Sequence, residues 1–192
     1  MLKIIGGEWK GRRLVQPAGI RPTAEKVRKA AFDILGEAVA GAQVLDLFAG
    51  SGALGLEALS RGAAHATFVE CEPHCVRTIK ENVARMGPEA AAYATVRQGY
   101  VTAVLRRASH QDGRFDLVLM DPSYGTSDGK KCLLHLDGYA IISPRGWVMV
   151  EHALQDDLPD AVGHLARRSQ HRYGDTVLSL YGVTASPTDP VP

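Results

Sequence analysis

Several features that would narrow the function at once are scarce in this sequence. Its 192 residues include three cysteines, Cys71, Cys75 and Cys132, an odd number without the paired spacing of a zinc site. We therefore expect reduced, structural thiols, a cytoplasmic protein and no metal centre. No apolar run approaches the roughly 20 residues that span a bilayer, and the N-terminus lacks the apolar core of a secretion signal, so no membrane partner is expected.

A large excess of one charge is also missing, but the charges are unevenly distributed along the chain. There are 22 Lys and Arg against 21 Asp and Glu, yet residues 1–30 alone sum to +6 and the remaining residues to −5. This asymmetry predicts a basic arm on a neutral or acidic body, which suits a nucleic-acid partner. The alternative is a solvated surface segment. The basic residues that we consider as candidates for phosphate contacts are Arg12, Arg13, Arg21, Lys26, Arg28 and Lys29.

Short apolar runs alternate with helical patterns from residue 43 onward, as in repeated βα units. Such units predict a parallel, doubly wound α/β sheet with right-handed crossovers. The run at residues 115–120 is uninterrupted, as expected for a strand that is buried on both faces. The predicted strands span residues 43–48, 66–70, 95–98, 115–120, 147–151 and 177–183, and the predicted helices span residues 53–61, 72–86 and 101–107.

A short extension precedes these units. Residues 2–5 and 13–16, with glycines between them, predict a hairpin. A helix is expected over residues 24–35, and Thr23 stands where its N-cap would be.

The domain organisation predicted from this pattern is simple. At 192 residues the chain can bury a full core and a ligand cleft as one domain. We expect that domain to span residues 1–184, with a basic N-terminal extension over 1–40 and a Rossmann-like core over 41–184. Residues 185–192 contain three prolines and are predicted to be a disordered tail.

The strongest local motif is the glycine-rich turn after the first strand. Gly50, Gly52 and Gly55 match the pattern G-x-G-x-x-G, and Glu70 ends the next strand, where an acid would hold ribose hydroxyls. By itself this pattern also fits NAD. Asp46 argues against NAD because its carboxylate would crowd a pyrophosphate, whereas it could accept hydrogen bonds from an ammonium group. We therefore favour the amino-acid end of S-adenosylmethionine; Asp46 as a cap of the turn is the alternative.

A second motif, Asp121-Pro122-Ser123-Tyr124, follows the buried strand at residues 115–120. The carboxyl end of a strand faces the ligand crevice of an open α/β sheet. The Asp121 carboxylate and the Pro122 carbonyl could accept the two N–H donors of an exocyclic base amine, and the Tyr124 ring could hold the plane of the base. A purely structural Asp-Pro turn is the alternative, but the cofactor turn in the same sheet favours the functional interpretation.

With these motifs, the sequence resembles the bacterial small-subunit (16S) rRNA guanine-N2 methyltransferases of the RsmD type. The resemblance runs over residues 1–183, nearly the whole chain. The stretches that carry it are Ile4–Gly7 with Lys10–Arg12, Arg21–Thr23, Val27–Arg28, Phe32, Asp46–Gly62, Glu70, Asp121–Pro122 and Tyr173–Thr176.

The resemblance implies a class I methyltransferase fold with a mostly parallel, seven-stranded sheet, S-adenosylmethionine as the cofactor and N2 methylation of a guanine in 16S rRNA. We also expect a monomer whose partner is ribosomal RNA within the small subunit or an assembly intermediate. The catalytic residues implied are Asp121, Pro122, Ser123 and Tyr124. The cofactor-binding residues implied are Arg21, Thr23, Asp46, Phe48, Ala49, Gly50, Ser51, Gly52, Glu70, Gly99 and Tyr100. The substrate-binding residues expected are Arg12, Arg13, Arg21 and Tyr124.

Two positions depart from the pattern of that family. Ser123 stands where a second proline is usual, and serine loosens the turn. Near Gly99 the family often has an acidic residue, whereas this chain has Gln98-Gly99-Tyr100. Backbone N–H groups or Tyr100 are therefore expected to meet the adenine of the cofactor.

Other functions remain open on the sequence alone. The pattern Asp-Pro-x-Tyr suits any exocyclic amine, so methylation of adenine N6 in DNA or RNA is the first alternative. A non-catalytic member of the fold that binds RNA is the second, and a NAD-dependent oxidoreductase is the third. The intact Asp46, Glu70 and Asp121 favour a catalytic protein.

Overall fold

The structure, a computed structural model, describes residues 2–19, 23–111 and 114–184. In these residues the helices are α1 (Glu25–Leu35), α2 (Ala53–Ser60), α3 (Pro73–Arg85), α4 (Val101–Gln111) and α5 (Asp128–Gly138). The strands are β1 (Gln43–Leu47), β2 (His65–Glu70), β3 (Ala94–Gln98), β4 (Phe115–Met120), β5 (Ile142–Ala153), β6 (Ala161–Val162), β7 (Leu165–Tyr173) and β8 (Thr176–Val183). Short 3-10 helices cover Gly36–Val39 and Pro88–Tyr93.

One sheet contains all of these strands, in the order β3-β2-β1-β4-β5-β8-β7-β6. The first five strands are parallel, and β8, β7 and β6 continue the sheet antiparallel. The predicted α/β class, with a doubly wound and mostly parallel sheet, is therefore confirmed. The sheet has one strand more than the seven implied by the resemblance, because the two-residue β6 pairs with the start of β7.

Two apolar layers cover the two faces of the sheet. The N-terminal segment and helices α1, α2 and α3 pack on one face, which we call the arm face, and α4 and α5 pack on the other. Because β1, β2 and β4 are covered on both sides, nearly all of their residues are buried. Within the described ranges, no helix is long and apolar enough to cross a membrane.

The segment ahead of α1 turns back on itself as predicted, but without two regular strands. Lys3 and Arg13 form an isolated antiparallel bridge, and the Leu14 N–H donates to the Leu2 carbonyl at 3.0 Å. We call residues 2–16 the arm.

Buried Glu57 on α2 fixes the arm to the core. Its carboxylate accepts hydrogen bonds from the N–H groups of Ile5 and Gly6, each at 2.8 Å. Arg28 on α1 is 1% exposed, with its Nε 3.9 Å from Glu57 Oε2, and it donates from Nη2 to the Lys3 carbonyl. Arg28 therefore stabilises the arm from inside the protein, and the expectation that it is a surface candidate for phosphate contact is wrong.

Candidate functional site

Four carboxyl groups lie at the carboxyl edge of the sheet, on neighbouring strands. Asp46 lies on β1, Glu70 ends β2, Asp121 follows β4 and Glu151 lies near the end of β5. Side chains two residues apart along a strand point to the same face. Each of the four acids stands two residues after an apolar core residue of the arm face, so all four lie on that face. These core residues are Val44, Phe68, Leu119 and Met149, in the order of the acids.

Two of these acids hold the glycine turn between β1 and α2. Asp46 Oδ2 accepts a hydrogen bond from the Gly55 N–H at 2.9 Å, and Glu70 Oε2 accepts one from the Gly50 N–H at 2.8 Å. A Cβ at Gly55 would lie 2.3 Å from the Phe68 ring, so the close contact of α2 with β2 needs glycine there. Asp46 therefore does hold the turn, as the alternative interpretation stated, while its contact with an ammonium group stays a prediction.

The other turn residues predicted to bind cofactor adjoin these acids. Phe48 has a left-handed φ of 60°, unusual for a residue with a side chain. The Gly52 N–H donates to the Ala49 carbonyl at 2.6 Å, and the Ser51 carbonyl accepts a hydrogen bond from Asn82 Nδ2 at 2.9 Å. Because backbone amides of the turn are bonded within the protein and carboxyl groups adjoin it, the turn suits a cation better than a pyrophosphate.

The electrostatics of the site favour the same kind of ligand. Burial raises the pKa of Asp46 well above its ordinary range, and the neighbouring charges of Asp121 and Glu70 raise it further, against the hydrogen bond from Gly55. A bound cation would lower the energy of these clustered carboxylates. S-adenosylmethionine carries two positive groups, an ammonium and a sulfonium. The carboxyl groups at the turn therefore suit this cofactor.

Asp121, the predicted catalytic acid, is held by Thr23. Thr23 Oγ1 donates a hydrogen bond to Asp121 Oδ2 at 2.6 Å. The prediction that Thr23 caps α1 is wrong, because the N-cap is Ala24 and the threonine hydroxyl is used on Asp121 instead. Burial raises the pKa of Asp121 to about 6, and the hydrogen bond from Thr23 opposes that rise. Arg21, which was also predicted to line the site, lies outside the described residues.

Tyr124 contacts Glu151, an acid that is not among the predicted site residues. Its hydroxyl donates to Glu151 Oε1 at 3.0 Å and lies 2.9 Å from Thr176 Oγ1, while 42% of the tyrosine is exposed. The register of β4 and β5 places Glu151 beside Asp121. Burial raises the pKa of Glu151 to about 8, and the charge of Asp121 contributes to that rise.

The remaining predicted residues of the two strand ends have different surroundings. Pro122 is buried and Ser123 is exposed. The Gly99 N–H donates to the Glu70 carbonyl at 2.9 Å and is therefore already satisfied. Tyr100, which is 74% exposed, is left as the better candidate for a contact with the adenine.

The basic candidates differ in how they are bonded. Arg12 and Arg13 are both exposed, as a phosphate contact requires. Arg12 Nη1 nevertheless donates to the Met86 carbonyl at 2.6 Å, so part of its function is structural. Lys29 pairs with Asp33 one turn further along α1, which reduces its attraction for a phosphate.

Asn82, a residue without any sequence signal, links the arm to the glycine turn. Its Oδ1 accepts a hydrogen bond from the Val15 N–H at 2.7 Å, and its Nδ2 donates to the carbonyls of Val15 and Ser51, each at 2.9 Å. The side chain is fully buried on α3. One amide group therefore links the arm directly to the glycine turn.

Known proteins share this fold and sequence over nearly the full chain. The family model described as Conserved hypothetical protein 95 matches residues 2–182. YlbH of Bacillus subtilis (strain 168) is 35% identical over 182 residues, which cover 94% of this chain and 98% of that protein. Ribosomal RNA small subunit methyltransferase D of Escherichia coli (strain K12) is 30% identical over 182 residues, which cover 94% and 89%. The solved structure of yhhF from Escherichia coli matches with a TM-score of 0.82 at 31% identity, over 96% of this chain and 99% of that one. The chain therefore belongs to the Conserved hypothetical protein 95 family, which is the RsmD family that its sequence resembles.

Proposed function

We propose that this protein transfers the methyl group of S-adenosylmethionine to the exocyclic N2 amine of a guanine in small-subunit (16S) rRNA. The observation that carries the proposal is the position of Asp121, which lies at the same edge and face of the sheet as the glycine turn and is oriented by Thr23. A carboxyl group so placed can hold an amine beside a cofactor bound at the turn. The name of the Escherichia coli relative supports rRNA as the substrate.

The acids of the turn would hold the cofactor at two points. Asp46, which accepts one backbone N–H, would also accept hydrogen bonds from the ammonium group. Glu70 already accepts the N–H groups of Gly50, Cys71 and Glu72, so about one of its four acceptor positions would serve a ribose hydroxyl. When bound, S-adenosylmethionine supplies a methyl group that its sulfonium already activates. The protein then needs mainly to position and polarise the acceptor.

The Asp121 motif would hold the base. The Asp121 carboxylate and the Pro122 carbonyl would accept the two N–H bonds of the amine, and the exposed ring of Tyr124 would stack on the base. Asp121 would stabilise the positive charge that develops on the nitrogen as the N–C bond forms and the S–C bond breaks, with the neutral thioether as the leaving group. The amine proton would leave afterwards to water. Ser123 keeps the preceding carbonyl in place of the second proline usual in the family.

The exposed arginines of the arm would bind the RNA backbone near this site. Arg12 and Arg13 lie on the arm, which Asn82 joins to the glycine turn. A base stacked within rRNA has to leave its stack to reach Asp121, at a cost of a few kcal/mol that backbone contacts offset. The substrate would be the small ribosomal subunit or an assembly intermediate, methylated by a monomer in the cytoplasm.

Mass mapping of rRNA modifications tests this function directly. In cells that lack the protein, one N2-methylguanine of small-subunit rRNA should be absent. The wild-type gene and a Glu89→Gln control, which changes an exposed acid away from the site, should restore it. Asp121→Ala should not, although the purified variant should bind S-adenosylmethionine within a few-fold of the wild type.

Other results would reject or redirect the proposal. If the modifications of small-subunit rRNA are unchanged, the substrate is wrong. Loss of N6-methyladenine from RNA or DNA would assign the adenine alternative instead. Restoration of methylguanine by Asp121→Ala would remove this carboxyl group from the mechanism.

A further inference from the structure

We propose that Glu151 belongs to the base-binding site and that its carboxylate accepts the N1–H of the target guanine, beside the amine that Asp121 holds. Glu151 would thereby determine which base is accepted. This inference rests on the proposed function and deepens it, because it concerns the selection of the base rather than the transfer of the methyl group.

The surroundings of Glu151 indicate that its carboxyl group serves a ligand. It lies at a small cavity whose other walls are apolar and include Leu54, Met120, Met149 and Leu178. The glutamate is 6% exposed. A carboxylate is costly in such surroundings, and the hydroxyls of Tyr124 and Thr23 and the charge of Arg28 offset that cost, so packing alone does not explain an acid at this position.

The side chain is oriented, and it retains capacity for a further hydrogen bond. Tyr124 donates to Oε1 at 3.0 Å, and the tyrosine hydroxyl also lies 2.9 Å from Thr176 Oγ1 on β8. A carboxylate has two oxygens with about four acceptor positions. Tyr124 therefore has two functions in this proposal, since its ring holds the plane of the base and its hydroxyl directs Glu151 toward the edge of that base.

The position of Glu151 relative to Asp121 matches the donor pattern of guanine. The two acids stand on adjacent parallel strands at the same level and on the same face, and strands in a sheet are about 4.8 Å apart. Guanine presents N1–H and the N2 amine as adjacent donors. If Asp121 accepts from the amine, Glu151 is the neighbouring acceptor for N1–H. Above its pKa of about 8 Glu151 is a carboxylate, and a purine with a lone pair at N1 would then direct that lone pair at the negative charge and be rejected.

The test compares guanine with 2-aminopurine, which keeps the exocyclic amine but lacks the N1–H. Small-subunit rRNA is assembled by ligation with either base at the nucleotide that mass mapping identifies. The value of kcat/KM is measured with each RNA at a pH above the pKa of about 8 of Glu151, so that this group is ionised. The wild type should prefer guanine by about 10- to 100-fold, as expected when a hydrogen bond to a charged group is missing. Glu151→Gln should bring this ratio close to one, because an amide can face N1 or N1–H, whereas the Glu89→Gln control should keep the wild-type ratio.

Each outcome of this comparison is decisive. If Glu151→Gln keeps the wild-type ratio, or if the wild type methylates both bases equally, the inference is overturned while the proposed function stands. If the wild type methylates neither RNA, the proposed function fails. Because the ratio compares two substrates of one variant, a general loss of activity does not change it.

A second variant covers the case in which Glu151→Gln does not fold. Tyr124→Phe keeps the ring but removes the hydroxyl that directs Glu151, and the tyrosine is 42% exposed, so the core is spared. The preference for guanine over 2-aminopurine should fall to an intermediate value. An unchanged preference in Tyr124→Phe would overturn the inference.

Discussion

Thr23 Oγ1 donates a hydrogen bond of 2.6 Å to Asp121 Oδ2, although the two residues are 98 positions apart in the sequence. Thr23 stands immediately before Ala24, the N-cap of α1. The orientation of the proposed catalytic carboxyl group therefore depends on the N-terminal extension. Thr23, the last residue of a stretch that carries part of the family resemblance, thereby ties this extension to Asp121.

Replacement of Thr23 should change the pH profile as well as the rate. Thr23→Val removes the donor and keeps the shape of the side chain. The Thr23 bond favours the ionised form of Asp121 and lowers its pKa, so its loss should move that pKa above its present value of about 6. If the carboxylate is the active form, as we propose, the fall in kcat/KM on acidification should begin at a higher pH in Thr23→Val, with a loss of roughly 10-fold or more at neutral pH.

The matched control for this prediction is Thr23→Ser, which retains the hydroxyl. Its pH profile should follow that of the wild type. An acid limb at the same pH in Thr23→Val and in the wild type would show that the threonine does not act on the Asp121 carboxylate.

The choice of cofactor should depend on the charge of Asp46. Calorimetry should show binding of S-adenosylmethionine in the micromolar range and none of NAD at the same concentration. Asp46→Asn keeps an oxygen to accept the Gly55 N–H but removes the charge, so affinity for S-adenosylmethionine should fall about 10-fold or more. Glu89→Gln again serves as the control. Tight binding of NAD, or full affinity in Asp46→Asn, would contradict the assignment of the turn.

The fold was predictable where the sequence pattern reflects burial. The strands that became β1, β2 and β4 are apolar because helices cover both of their faces. β7 was missed because it lies near the sheet edge and is mostly polar, with Leu165 alone buried, so the alternation that identifies a strand is absent. The helix α5 was missed as well. Its buried residues Gly129, Cys132, Leu133 and Leu136 do follow helical spacing, but a glycine begins the pattern and the exposed Leu134 obscures it.

Those site residues that lie in short sequence motifs were predictable. Asp46 and Asp121 stand in short motifs whose spacing indicates a ligand. Glu151 ends the predicted strand at residues 147–151 just as Glu70 ends the one at residues 66–70, which is a usable signal, but no glycine turn or proline follows it. The contact of Thr23 with Asp121 had no local signal, because it arises only when α1 packs on the arm face.

The stability of the arm should depend on Gly7. This glycine has a φ of 73°, and a Cβ there would lie 1.7 Å from the Ser60 carbonyl oxygen. Gly11 is the matched control, because its φ is 85° but nothing lies within 4 Å of a Cβ. Gly11→Ala should cost about 1–2 kcal/mol of unfolding free energy through backbone strain alone.

Gly7→Ala should cost more than this, since the Ser60 carbonyl also accepts the Glu8 N–H at 2.7 Å and cannot move without loss. Thermal unfolding should show a lower Tm for Gly7→Ala than for Gly11→Ala, by about 2–4 °C for each additional kcal/mol. Equal values of Tm would mean that the arm can move away from α2 at no cost.

Reversing charges on the arm tests whether the arm binds the phosphates of the RNA. Lys10 and Arg13 are exposed on the arm, and we choose them for charge reversal. Arg12 is left unchanged because its hydrogen bond to the Met86 carbonyl is structural. If both contact phosphates, Lys10→Glu with Arg13→Glu should raise the KM for rRNA. The variant should also reduce the slope of log affinity against log salt by about 0.7 to 0.9 for each phosphate that it no longer neutralises.

Reversing the charges of two exposed lysines outside the arm provides the control for net charge. The double variant Lys130→Glu with Lys131→Glu changes the net charge by the same amount as the arm variant. Both lysines lie on α5, which packs on the face opposite the arm. A long-range effect of charge would weaken RNA binding equally in both double variants, whereas direct phosphate contacts would change the salt slope only for the arm. Binding of S-adenosylmethionine should be unchanged in both, because neither pair lies at the glycine turn. If the arm variant binds and methylates small-subunit rRNA with the wild-type salt dependence, the arm is a solvated surface segment and the RNA is held elsewhere.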